Sequence, residues 1–172
     1  MISLKGREES SDTLMHSRPG IDLICVIDKS SSMSGKKIEL VRETLKFMLT
    51  LLNKHDRVSL VIFNQYAARL CPLTCVDENG HVQLDRTISS IVASGGTNIE
   101  EGLKAGLRVI KDRRIANQVT SVLLLSDGLD STSIQNINAL KERCQKEGIT
   151  GFSVNTFGYG TCLLYTSDAA DE

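Results

Sequence analysis

The sequence lacks several features that would point to common classes of function. It contains no tryptophan, and its aromatic side chains are limited to Phe47, Phe63, Phe152, Phe157, Tyr66, Tyr159 and Tyr165. Lysine plus arginine (20) nearly balance aspartate plus glutamate (21), and no basic block recurs, so little is available for stacking on bases or neutralising phosphates. Nucleic acid is not an expected partner. No stretch approaches the roughly 20 apolar residues that a membrane span needs, and residues 1–20 are polar, without the apolar core of a secretory signal. The expected setting is cytoplasmic or nuclear, with no membrane partner. The cysteines, Cys25, Cys71, Cys75, Cys144 and Cys162, lack the C-x-x-C pairing of a structural zinc site, and reduced thiols are expected.

What is present fits one domain. The 172 residues are 41% hydrophobic and 24% charged, an ordinary composition for a chain that buries a core. Four apolar runs, residues 21–27, 58–63, 119–125 and 149–157, read as buried strands. Helical stripes lie between them. Ile38, Val41, Leu45, Met48, Leu49 and Leu52 form the first, starting after Ser34 and Gly35 and ending near Asn53, with Lys37, Glu39, Arg42, Glu43 and Lys46 on its outer face. Ile99, Leu103, Gly106, Leu107 and Ile110 form the second, with Thr97 and Glu100 in capping-box spacing. Ile134, Ile137, Leu140 and Cys144 form the third, closed by Gly148.

Alternating strands and helices predict an α/β fold with a mostly parallel, doubly wound sheet. Residues 67–70 follow the second strand too closely for a helical crossover, so they are expected as a short antiparallel edge strand before a loop through Cys75 to Gly80.

Such sheets bind ligands beyond the carboxyl ends of their strands. Three loops there carry oxygen-bearing side chains: Asp28-Lys29-Ser30-Ser31-Ser32, Gly95-Gly96-Thr97-Asn98 and Ser126-Asp127-Gly128. Alternate positions Asp28, Ser30 and Ser32 can turn a carboxylate and two hydroxyls toward one point. These are hard ligands, suited to a small cation such as magnesium. Asp28 and Asp127 would balance a dication, while the neutral hydroxyls of Ser30, Ser32 and Thr97 would leave it able to accept an outside carboxylate. Each piece has a simpler reading as well. Ser30 and Ser32 fit turn or cap positions, Thr97 fits a helix N-cap, and Asp127-Gly128 fits a turn.

The motifs in IDLICVIDKSSSMSG, SGGTNIEEGL and LLLSDGLD, taken in this order, resemble those of the von Willebrand factor type A domain with its metal-ion-dependent adhesion site. The resemblance covers about residues 21–159 and is greatest to intracellular eukaryotic members, some of which sit beside RING-type domains. It implies a Rossmann-like sheet with one antiparallel edge strand. It also implies Mg2+ or Mn2+ held directly by Ser30, Ser32 and Thr97, with Asp28 and Asp127 often acting through water. A glutamate or aspartate of a protein ligand would complete the coordination shell, and binding, not catalysis, would be the output. Ser31 stands where a glycine is common, which would cost about 1 kcal/mol if that position needed a positive φ. Lys29, beside the motif, is expected to point away from the metal and to attract an acidic ligand at the rim.

The competing reading is a magnesium-dependent hydrolase or phosphoryl-transfer enzyme. The sequence has no G-x-x-x-x-G-K-[ST] phosphate loop and no G-x-S-x-G elbow, and none of His16, His55 and His81 falls in the three loops. The expected organisation is a polar segment at 1–20 and a domain at 21–160 that is C-terminally truncated, lacking its last strand and helices. Residues 161–172 read as a translated sequencing-library adapter.

Overall fold

The computed structural model describes residues 18–128 and 150–159, together with Ile137, Ala139, Glu142 and Lys146. Its centre is a sheet in the order β3-β2-β1-β5-β6, with β4 also paired to β2. The strands are β1 (Ile21–Asp28), β2 (Arg57–Phe63), β3 (Ala67–Arg69), β4 (Thr74–Cys75), β5 (Val119–Ser126) and β6 (Ser153–Gly158). Strands β2, β1, β5 and β6 run parallel, while β3 and β4 pair antiparallel with β2. The expected edge strand at 67–70 is therefore present as β3, with β4 as a second short piece along the same neighbour. The last strand begins at Ser153, later than the sequence pattern suggests, because Gly151 turns the chain with φ 74°.

Helices α1 (Lys36–Thr50), α2 (Glu78–Ser89) and α3 (Ile99–Asp112) flank the sheet, and Ile137, Ala139, Glu142 and Lys146 are helical as well. Side chains alternate along β1, so the strand feeds two cores. Cys25 and Ile27 join Val41, Leu45 and Leu49 of α1 and Leu84 and Ile88 of α2 on one face. Ile24 and Val26 join Leu103, Leu107 and Ile110 of α3 on the other, where Ile137 also packs. Both faces of β1 are thus covered, as its nearly unbroken apolar run requires. The expected third helix stripe, apart from Ile137, lies outside the described residues.

Helix α2 replaces the loop expected through Gly80. Asp77 caps it, its carboxylate accepting the Gly80 N–H at 2.8 Å. Helix α3 sits close to the sheet because it presents glycines to it. A β-carbon at Gly102 would come within 2.5 Å of the Phe63 ring, and one at Gly106 within 2.7 Å of Val26. This approach holds the start of α3, and the loop before it, against the carboxyl end of β2.

Burial, with a smaller push from Cys71, raises the Cys25 thiol to about 12, so it stays protonated and acts as packing. Cys71 is buried and its sulfur accepts the Leu60 N–H at 3.3 Å, whereas Cys75 is exposed. The amino-terminal edge of the sheet is fastened by ion pairs: Asp22 to Arg57 and Arg113, and Asp56 to Arg18. Burial disfavours the charged form of Asp56, but hydrogen bonds from Arg18, Asn53 and Ile21 outweigh it and hold the carboxyl below its usual range.

Candidate metal centre

The three loops named from the sequence meet at the opposite, carboxyl-terminal edge of the sheet. Strand β1 ends at Asp28, and the chain then tightens into a short 3-10 helix, Ser31–Met33, which buries Met33 beneath it. Three backbone hydrogen bonds fix this loop. The Lys29 N–H donates to the Phe63 carbonyl at 2.8 Å, the Ser31 N–H to the Gly95 carbonyl at 2.8 Å, and the Ser94 N–H to the Lys29 carbonyl at 2.6 Å. Gly95 takes φ 84°, a left-handed conformation that glycine adopts without strain. Ser31 needs no such freedom, since no non-glycine residue among those described has a positive φ, and the penalty considered for the missing glycine does not arise.

The side chains form a continuous chain of hydrogen bonds. Asp28 is fully buried; its Oδ1 accepts the Ser30 N–H at 2.8 Å and its Oδ2 accepts the Ser126 hydroxyl at 2.6 Å. The Ser32 hydroxyl donates to Asp127 Oδ1 at 2.9 Å, and the Ser30 and Ser32 oxygens are 3.0 Å apart. A hydroxyl has one proton, so Ser32, having given its own to Asp127, accepts from Ser30. Both hydroxyl protons then point along the chain toward Asp127, and lone pairs on Ser30 and Ser32 remain for a cation. Magnesium with Mg–O distances of about 2.0–2.1 Å places adjacent ligands about 2.8–3.0 Å apart, which matches the two serines.

Thr97 is brought to the same edge but does not act as the helix cap. Asn98 takes that role, its Oδ1 accepting the Glu101 N–H at 3.2 Å, so the N-cap expected at Thr97 is shifted by one residue. Thr97 lies between two anchored residues: the Gly95 carbonyl receives Ser31, and the Asn98 N–H donates to the Asn64 carbonyl at 2.8 Å. Its hydroxyl has no hydrogen-bond partner among the described residues and is exposed.

Three participants were given no role at the site by the sequence reading. Ser126 closes the apolar run of β5 and orients Asp28; its oxygen also accepts the Gly128 N–H at 3.2 Å. Asn64 ties its amide to the Ser94 carbonyl at 3.0 Å. Lys37, assigned by periodicity to the solvated face of α1, instead places its ammonium 2.5 Å from Asp127 Oδ2. Lys29 donates to the Ser94 hydroxyl at 2.9 Å, on the rim. Among the described residues no three His, Cys, Asp or Glu side chains cluster as metal ligands, so any cation site here is one of hydroxyls and two carboxylates.

A mostly parallel sheet covered by helices, with hydroxyls and carboxylates gathered beyond its strand ends, places the protein in the doubly wound α/β class. Within that class the match is specific: residues 23–129 fit the family described as the von Willebrand factor type A domain, and the chain belongs to that family. It is 30% identical over 143 residues to E3 ubiquitin-protein ligase WAV3 of Arabidopsis thaliana, covering 83% of this chain and 18% of that protein. It is 28% identical over 151 residues to inter-alpha-trypsin inhibitor heavy chain H4 of Homo sapiens, covering 84% of this chain and 16% of that one. The chain thus spans less than a fifth of these relatives. Among solved structures, a von Willebrand factor type A protein from Catenulispora acidiphila aligns with TM-score 0.64 and 19% identity, over 81% of this chain and 33% of that one. The PilB minor pilin from Streptococcus sanguinis aligns with TM-score 0.66 and 16% identity, over 84% and 51%. Both share the fold. No helix among the described residues is long and apolar enough to cross a membrane.

Proposed function

We propose that this domain is a metal-dependent protein-binding module. Mg2+ or Mn2+ binds to the hydroxyls of Ser30, Ser32 and Thr97, with Asp28 and Asp127 supplying negative charge behind them. The cation then takes a glutamate or aspartate carboxylate from a partner protein. The observation that carries this reading is Asp28, which is fully buried and hydrogen-bonded only to neutral donors. No ion pair to it exists among the described residues. A buried carboxylate without a counter-charge is costly, and a dication held by the adjacent serines would relieve that cost.

The chain's own residues position and polarise the cation site, and the output of this reading is binding rather than turnover. Relatives named as E3 ubiquitin ligases support placing this domain as the partner-recognition part of a longer intracellular protein, with a RING-type domain elsewhere in that chain. Mg2+ or Mn2+ at a hundred times its dissociation constant is expected to add about 2.7 kcal/mol of stability. A thermal melt across a MgCl2 or MnCl2 series reads this directly. A melting temperature that does not move with either cation would sink the proposal.

A further inference from the structure

The charge at the candidate metal centre is not set by the two aspartates alone. Both oxygens of Asp127 are engaged, Oδ1 by the Ser32 hydroxyl and Oδ2 by the Lys37 ammonium at 2.5 Å. The Asp127 side chain is only 8% exposed, so this pair is sheltered on the carboxylate side. Lys37 also sits in the first turn of α1, where the helix dipole presents its positive end. A lysine is electrostatically disfavoured there. Its place is explained by Asp127, not by the helix.

We infer that Lys37 is a charge regulator of this site: it competes with the dication for Asp127 and makes cation binding depend on the acidic ligand. This rests on the metal-binding reading above. Lys29 on the rim adds the same charge to wild type and to every Lys37 variant, and Asp28, Asp127 and Lys37 together carry one net negative charge. A dication turns that into one net positive charge, which an incoming carboxylate neutralises. Without Lys37 the dication alone would neutralise the two aspartates, and the incoming carboxylate would add an uncompensated charge. Cation and ligand therefore promote each other's binding in the wild type, by the reciprocity that any linkage obeys. Removing Lys37 strengthens the first and weakens the dependence on the second.

Mn2+ titrations followed by electron paramagnetic resonance test this, with wild type, Lys37→Met and Lys37→Arg each measured with and without acetate as the carboxylate probe. Lys37→Met is expected to bind Mn2+ about tenfold tighter than wild type in the absence of acetate, because a positive charge close to the cation is gone. Acetate should tighten Mn2+ binding to wild type and to Lys37→Arg, and should do so less for Lys37→Met. Melting curves without metal verify folding, and Lys37→Gln replaces the methionine variant if that variant does not fold. Equal or weaker Mn2+ binding by the neutral variant overturns the inference, since Lys37 would then only orient Asp127. Absence of Mn2+ binding in every protein, wild type included, overturns the metal reading itself.

Discussion

Replacing Asp28 with asparagine is expected to weaken Mn2+ binding by about 10- to 100-fold, the usual cost of removing a group that supports metal ligands from behind, while leaving the metal-free protein at least as stable as wild type. The two halves of this result have one cause. Asp28 is buried with neutral donors on both oxygens, so its charge is a burden that the proposed cation would offset. Asparagine keeps an acceptor for the Ser30 N–H and turns an amide donor toward the Ser126 oxygen, so the loop remains hydrogen-bonded. What disappears is the negative charge behind the serines. Calorimetric Mn2+ titration and metal-free melting measure the two halves separately. An asparagine variant that binds Mn2+ as tightly as wild type would show that Asp28 is merely a loop fastener.

The second large effect lies at the other end of the same strand. Asp22→Ala is expected to cost about 3 kcal/mol of stability, the low end of the range for breaking a buried ion pair. Asp22 is fully buried and accepts from Arg57 Nε and Nη2, each at 2.8 Å, from Arg113 Nη1 at 2.8 Å and from the Asn117 N–H at 3.2 Å. Alanine would leave both guanidinium groups without their counter-charge, Arg57 keeping only the Ile115 carbonyl and Arg113 the Thr120 hydroxyl among the described residues. Their side chains are 21% and 14% exposed and regain some water, which keeps the loss from reaching the top of the range. In a chain of this size the loss corresponds to about 6–12 °C in melting temperature. Mn2+ affinity should not change, because Asp22 and Asp28 are about 20 Å apart along an extended strand. Denaturant unfolding and Mn2+ titration of the same variant separate the two ends. A variant that unfolds like wild type would mean the pairs at this edge contribute nothing net.

Where the sequence was legible, short-range physics decided the structure. The apolar runs of β1 and β2 are largely buried on both faces and that of β5 fully on one, and neither helix periodicity nor turn chemistry competes with them. The end of β1 at Asp28 follows directly, and with it the position of Ser30 and Ser32. The first turn of α2 was read as loop and the rest was given no element, because its apolar face is small, only Gly80, Leu84 and Ile88 being buried. Gly80 looked like a turn residue. It is instead required because a β-carbon there would overlap the Cys75 carbonyl oxygen.

The one-residue shift of the cap on α3 has a local cause as well. Thr97 and Asn98 both stand three residues before a glutamate, and asparagine is the better N-cap. That leaves the Thr97 hydroxyl available, which the capping-box reading would have consumed. Ser126 and Lys37 could not be read from spacing at all. Their partners lie 98 and 90 residues away, and only the packed sheet brings them together. Lys37 changes the proposed chemistry most, because spacing alone offers two carboxylates to a dication and the fold sets an ammonium against one of them.

Anomalous diffraction from crystals grown with MnCl2 is the most direct test of the proposed dication on the serine hydroxyls beyond β1. The expected result is one strong peak at about metal–ligand distance, roughly 2.2 Å, from both Ser30 Oγ and Ser32 Oγ. No peak there at saturating Mn2+, or a peak only elsewhere on the surface, would contradict it.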